Sequence, residues 1–227
     1  YGGSAEVVQM SKDGVSYAVK IIDLNKAKNN YLESDHTPKE EVAILKQFNH
    51  VHVVKFIDFI DDQDRNKLYI VMELLDGGTI MECKTFEEKR EAFTQALSAV
   101  QYIHFQRIAH QDIKPANILR SKNGTIKLVD FGSAVFVEEG KKTIPAGIIG
   151  TPFFTPPEKF SSKFYDPFAG DVWSLGVALY NMVYGKLPFD GSDIFQVQNH
   201  ISNSEPQFPK NDEFKDAIDL MKLMLKK

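Results

Sequence analysis

The sequence has 227 residues, 43% of them hydrophobic and 26% charged, with 31 acidic against 27 basic side chains and a formal net charge of −4. A chain of this length buries roughly 70–75% of its unfolded surface, and no run of Lys or Arg is long enough to track a phosphate backbone, so nucleic acid is not an expected partner. Cys83 is the only cysteine, which excludes an internal disulfide, suits a reducing compartment and sets the expected location as cytoplasmic, with the nucleus as alternative.

The first third has strand character with one helix. Ala5–Met10 and Val15–Ile22 are β-type runs around the turn Lys12-Asp13-Gly14, a hairpin signal. Thr37-Pro38-Lys39-Glu40 marks a helix start: threonine caps, proline suits the first helical position, and the glutamate completes a capping box. The helix is expected to run to about Phe48, with Glu41 and Leu45 on one face. Two further strands are expected at Val53–Ile60 and Lys67–Leu75, joined by the polar turn Asp61–Asn66.

Beyond Asp76-Gly77-Gly78 the character changes. Thr85-Phe86-Glu87-Glu88 is a second capping box, followed by Phe93, Leu97, Val100 and Ile103 at helical spacing. A short β section spans Ile113–Phe131 with a turn at Asn123-Gly124, and a proline- and glycine-rich segment then runs to about Pro167. Val172–Tyr184 is the most apolar stretch; as a helix it spans about 20 Å, short of the roughly 30 Å hydrocarbon core, so it is expected inside the protein and not in a membrane. A last amphipathic helix carries Phe214, Ile218, Met221 and Leu225. Strands before helices predict an α+β fold in two lobes, residues 1–75 and 76–227, forming one domain. Tyr1-Gly2-Gly3-Ser4 has the character of the middle of a loop, and Lys227 follows a helix with no terminator. Truncation at both ends is therefore expected.

The chemistry concentrates in His110-Gln111-Asp112-Ile113-Lys114-Pro115-Ala116-Asn117 and, eighteen residues after Asp112, Asp130-Phe131-Gly132. Phosphoryl transfer to a hydroxyl needs metal to neutralise phosphate charge, a carboxylate near the incoming proton and a cation on the phosphates. Carboxylate, lysine, amide and again carboxylate groups in this order resemble the protein kinase family, and the resemblance covers nearly the whole chain. It implies the two-lobed kinase fold, ATP and Mg²⁺ as cofactors, and a protein substrate. Asp112 would receive or orient the substrate hydroxyl, and Lys114, typical of serine/threonine-specific members, would offset charge on the moving group. Asn117 and Asp130 would hold the metal.

The same resemblance assigns the remaining parts. Gly2, Gly3 and Val7 look like the end of the glycine-rich loop, with Ala5 at its third glycine position. Lys20 of Tyr17-Ala18-Val19-Lys20 would contact the phosphates and pair with Glu41, 21 residues on. Val7, Ala18 and Leu119 would enclose adenine, Met72 would be the gatekeeper, and Glu73–Leu75 the hinge. Leu45, Phe56, His110 and Phe131 would stack between the lobes. Gly150-Thr151-Pro152 and Pro156-Pro157-Glu158 resemble the end of the activation segment, and Asp171–Gly176 the central helix, where the aspartate holds the catalytic loop. Glu158 lacks the arginine that the family places near its C-terminus.

Gly78–Glu82, Thr151–Phe154 and Leu179–Phe189 resemble kinases that activate other kinases, the calcium/calmodulin-dependent kinase kinase and liver kinase B group. The long insert that the kinase kinases carry after the lysine strand is absent. Other kinases are therefore the expected substrates, with an activating partner protein. Gln111 replaces the arginine of His-Arg-Asp, and Gly147 occupies the usual phosphothreonine position, so the usual phosphate switch is expected to be missing; Thr143 is an alternative phosphosite. Thr79 and Ala116 stand where arginine-selecting kinases place acids. A catalytically silent scaffold is one competing reading, weakened by the presence of Lys20, Asp112, Asn117 and Asp130; a small-molecule kinase of the aminoglycoside type is the other, opposed by the Gly150–Glu158 segment and the Asp171–Gly176 helix.

Overall fold

The computed structural model describes residues 5–26, 37–146, 150–209 and 214–227. Its N-terminal part is an antiparallel sheet in the order β1-β2-β4-β3, from β1 (Ala5–Lys12), β2 (Val15–Asp23), β3 (Phe56–Asp62) and β4 (Lys67–Glu73). Asp13 and Gly14 both take positive φ, 52° and 78°, as a two-residue hairpin turn requires. Helix α1 (Pro38–Leu45) carries the predicted capping box, with Thr37 and Glu40 bonded reciprocally, and buries Glu41 and Leu45. It stops three residues short of the predicted Phe48, in turns that close Gln47 onto Ile44 and Phe48 onto Leu45.

The predicted strand at Val53–Ile60 begins instead at Phe56. Val53 and Val54 are 1% and 3% exposed, yet they pair with the other half of the molecule: the Val54 N–H donates to the Leu128 carbonyl at 3.0 Å, and the Leu128 N–H to the His52 carbonyl at 2.9 Å. An apolar run marks burial without saying against what. This segment therefore fastens the sheet to the helical part.

The C-terminal part is built on α2 (Phe86–Phe105) and α3 (Pro167–Tyr184). Helix α3 begins before the apolar run because Asp166 accepts from the N–H groups of Phe168 and Ala169 and Pro167 opens the helix; Gly185, at φ 67°, ends it. Among the described residues no helix is long and apolar enough to cross a membrane. Helix α4 (Ile194–Asn203), capped by Asp193, went unpredicted, since only Val197 and Ile201 mark its buried side. Helix α5 (Lys215–Met224) packs on α3. Short pairs β5–β8 (Ile108–Ala109 with Val135–Phe136), β6–β7 (Ile118–Arg120 with Ile126–Leu128) and β9–β10 (Ile144–Pro145 with Phe164–Tyr165) shape the loops between. One apolar cluster runs from Ile22, Leu45 and Met72 of the sheet side to Ile103, Phe131 and Tyr180 of the helical side.

At the α3–α5 contact, a Cβ on Gly176 would lie 2.9 Å from the Met224 Cβ and 3.0 Å from Leu225 Cδ2. Overpacking costs about 1–3 kcal/mol, partly offset by the roughly 1 kcal/mol helix preference of alanine. Gly176→Ala is therefore expected to destabilise by about 1–2 kcal/mol, read as a lower urea midpoint at unchanged slope.

Candidate active site

The loop carrying Asp112 is hung from α3. Asp171, fully buried, accepts from the backbone N–H of His110 at 2.7 Å and of Gln111 at 2.9 Å. His104 at the end of α2 adds a contact from Nε2 at 2.8 Å. A buried carboxylate needs several such partners, and these hold Gln111 at φ 68°, a left-handed conformation uncommon outside glycine. His110 in turn bonds the Val129 carbonyl through Nε2 at 2.9 Å and sets its ring edge-on to Phe131, with centroids 4.8 Å apart. Phe48, absent from the predicted stack, also packs on Phe131, with ring centroids 4.9 Å apart.

Asp112 is surrounded by donors. Lys114 Nζ donates to its Oδ2 at 2.7 Å and Asn117 Nδ2 at 3.1 Å; the Thr151 N–H and hydroxyl donate to Oδ1 at 3.0 and 2.9 Å. Lys114 also donates to the Thr151 hydroxyl at 2.8 Å. Thr151 thus joins the site from a segment 39 residues downstream, a role its place after Gly150 did not disclose. Gly150 itself sits at φ 94°, where a Cβ would approach the Gln111 carbonyl oxygen to 2.6 Å. Only glycine fits that crossing.

Lys20 on β2 donates to both Glu41 oxygens, at 2.7 and 2.8 Å, and to Asp130 Oδ1 at 2.8 Å. Burial works against the charge on Lys20, but Glu41 and Asp130 outweigh it and hold the ammonium above the ordinary lysine range. Burial pushes the Glu41 carboxyl up, with Lys20 opposing. At Asp130 burial also favours the neutral acid, but Lys20 prevails and keeps the carboxyl below the usual aspartate value. Gly132 backs onto this trio: a Cβ there would lie 3.0 Å from Lys20 Nζ and 3.3 Å from Glu41 Oε2.

The donor set suits a hard cation. Asn117 commits its Nδ2 to the Asp112 carbonyl at 2.8 Å and to its carboxylate, which leaves the amide oxygen for a metal. Asp130, at φ 61°, is 47% exposed at its side chain and has only one oxygen on Lys20. Among the described residues no group of three or more His, Cys, Asp or Glu could hold a metal alone. Two protein oxygens beside a cleft fit Mg²⁺, which completes its shell with phosphate oxygens and water.

Of the residues expected around a nucleotide, Gly2 and Gly3 lie outside the described residues, as does Gly147. Val7 lies opposite Lys20 in the β1–β2 ladder, Ala18 lies opposite Met72 in the β2–β4 ladder, and Leu119 bridges to Thr79. Met72 is buried and Leu75 half-buried. The Glu73 carboxylate is engaged elsewhere, accepting from Lys127 Nζ at 2.8 Å and from the Lys55 N–H at 2.7 Å. The Glu73 N–H is likewise bonded, to the Lys55 carbonyl at 3.1 Å, which leaves the Glu73 carbonyl and the main chain on to Leu75 as the part available to a base.

Gln111 does not face solvent as a phosphate-binding side chain would. It is 9% exposed; its Nε2 donates to the Pro167 carbonyl at 3.1 Å, and its Oε1 accepts from the Tyr165 hydroxyl and from Lys159 Nζ, the latter at 3.3 Å. Burial brings the Lys159 ammonium down to about 8, against the pull of Asp171 and Asp112. None of these partners was legible from the replacement itself.

Comparison with known proteins gives the family. Residues 1–227 match the protein kinase domain family. A calcium/calmodulin-dependent protein kinase kinase of Caenorhabditis elegans is 34% identical over 258 residues, covering 99% of this chain and 47% of the relative. A serine/threonine-protein kinase stk11 homolog of Dictyostelium discoideum is 38% identical over 200 residues, 82% of this chain and 33% of its own. The serine/threonine-protein kinase TOS3 of Saccharomyces cerevisiae is 29% identical over 265 residues, 97% of this chain and 47% of its own. The chain spans about half the length, or less, of these relatives. With an Asp112–Lys114–Asn117 cluster tied to the strand end before Asp130 by the Val129 N–H on the Asn117 carbonyl at 3.0 Å, and matched over its whole length, the chain belongs to the protein kinase domain family, among relatives that are serine/threonine kinases.

Proposed function

We propose that the protein transfers the γ-phosphoryl group of ATP to a serine or threonine hydroxyl of other protein kinases, on their activation segments. The observation that carries transfer over a silent scaffold is the assembled pairing of Lys20 with Glu41 and Asp130, beside an Asp112 already oriented by Lys114, Asn117 and Thr151. Bound ATP would bring the reacting phosphoryl group, and Mg²⁺ would neutralise its charge. This chain's residues then do the positioning. Lys20 is aimed by Glu41 at the phosphate side of the cleft, Asn117 and Asp130 offer oxygens to the metal, and Asp112 receives the hydroxyl proton as Lys114 balances charge. The choice of kinases as substrates rests on likeness to the kinase kinase, and on Thr79 and Ala116 standing where a basic peptide would need acids.

The same reading makes phosphorylation at the usual activation-segment position unnecessary, because Gln111 carries no charge and Gly147 no hydroxyl. Phosphatase treatment of the full-length protein is expected to leave at least about half its activity toward a catalytically dead kinase domain, since no phosphate–arginine contact is lost. A collapse that autophosphorylation restores would refute this. A strict preference for short arginine-rich peptides over folded kinase domains would refute the substrate assignment.

A further inference from the structure

Arg107 stands between α2 and β5, outside the site described above and outside every motif of the sequence. Its backbone is left-handed, at φ 62°, which few residues other than glycine adopt without compensation. The compensation is in its contacts. Nε donates to the Val137 carbonyl at 3.2 Å, and Nη2 donates to the carbonyls of Glu138 and Lys141, both at 2.8 Å. The Arg107 carbonyl accepts from the Val137 N–H at 2.8 Å. The guanidinium lies over the Phe168 ring at 5.4 Å, beside the start of α3.

The three carbonyls belong to one turn, closed by the Lys141 N–H on the Glu138 carbonyl at 3.0 Å, with Gly140 at φ 81°. Carbonyl oxygens converging on one point repel one another unless a cation or several donors lie among them. The planar fork of arginine supplies both. From this turn the chain continues to β9, which pairs with β10, where Tyr165 donates to Gln111. Thr151, beyond β9, reaches Asp112.

We infer that Arg107 is a positioning residue for the reaction: a resident cation that orders residues 137–141 and so sets the course of the segment delivering Thr151 to Asp112. The inference deepens the phosphorylation-independent reading and rests on it for its kinetic arm. A phosphate clamp uses a cation to hold a modified side chain; here the cation holds unmodified main chain. Gln111 secures the far side of the same segment through Tyr165.

Arg107→Gly separates this role from plain stability. Glycine suits φ 62° but adds freedom to the unfolded chain, and the two effects oppose. The guanidinium hydrogen bonds are lost as well, but they close a surface turn that opens without global unfolding, so the melting temperature of the full-length variant is expected to fall by no more than about 4 °C. Its kcat/KM for a folded kinase substrate is expected to fall about ten-fold or more, with the KM for ATP within about two-fold. Trypsin cleavage at Lys141 and Lys142, both exposed, is expected to accelerate about ten-fold as the turn opens. Arg107→Lys, a cation without the fork, is expected to fall between glycine and wild type. Unchanged cleavage at Lys141–Lys142 overturns the inference; so does a loss of activity that only parallels a fall in melting temperature and in ATP affinity. If the wild-type protein transfers no phosphoryl group, the functional reading fails, and the cleavage rate still decides Arg107.

Discussion

Asp112→Asn is expected to lower phosphoryl transfer by about 10²–10⁴-fold, the span associated with losing a positioned proton acceptor. The substitution keeps the shape but reverses the hydrogen-bonding sense of one atom. Each oxygen of Asp112 now faces two donors: Lys114 Nζ and Asn117 Nδ2 on one, the Thr151 N–H and hydroxyl on the other. Whichever way the asparagine amide turns, its NH₂ meets donors. Facing Lys114 and Asn117, it pushes away the lysine and the Asn117 amide; facing Thr151, it loosens residues 150–151. The variant is therefore expected to lose order in one of these places as well as its proton acceptor. Thr151→Val is a useful companion: it removes the hydroxyl donor but keeps the N–H contact and the carboxylate, so its loss should be much the smaller. ATP-dependent labelling of protein by the full-length forms measures both, and equal labelling by wild type and Asp112→Asn would favour the scaffold reading.

Much of this site was legible in the sequence because its chemistry is local there. Asp112, Lys114 and Asn117 lie within six positions, and a short loop can bring them together by itself. The pairing of Lys20 with Glu41 was also legible, because β2 and the capped helix α1 each declare themselves by pattern and the separation is characteristic. What could not be read was the support crossing between distant elements. His104 reaches Asp171 across 67 residues, Lys127 reaches Glu73 across two lobes, and Thr151 reaches Asp112 from beyond a loop rich in proline and glycine. Each is an ordinary polar residue whose partner no local pattern announces. The fold failed in the same manner: Val53 and Val54 are apolar and buried, but they bury on the wrong partner for a strand of the sheet. Arg107 gave least warning, since a single arginine after a helix is usually a solvated side chain.

Lys20→Met is expected to abolish transfer and also to destabilise the fold, and the second effect has a pH signature. The Lys20 side chain is 11% exposed and that of Glu41 5%, so the pair is largely dry. Removing one member of such a pair typically costs about 3–5 kcal/mol, because the other charge stays buried and unmatched. Burial already pushes the Glu41 carboxyl up while Lys20 opposes it; without Lys20 that opposition disappears and the rise is larger. A carboxyl whose folded value lies above its unfolded value binds more protons in the folded state, so stability falls as pH rises between the two. The deficit of Lys20→Met is thus expected to be greatest near neutrality and to shrink toward pH 5 as Glu41 takes up its proton. Glu41→Gln added to Lys20→Met replaces the stranded carboxylate with a neutral group of the same shape, and should recover most of the stability at neutral pH without recovering transfer. Urea unfolding of the single and double variants at the two pH values, beside ATP-dependent labelling, separates the two roles. A double variant no more stable than the single at neutral pH would show that the stranded Glu41 charge is not what destabilises the fold.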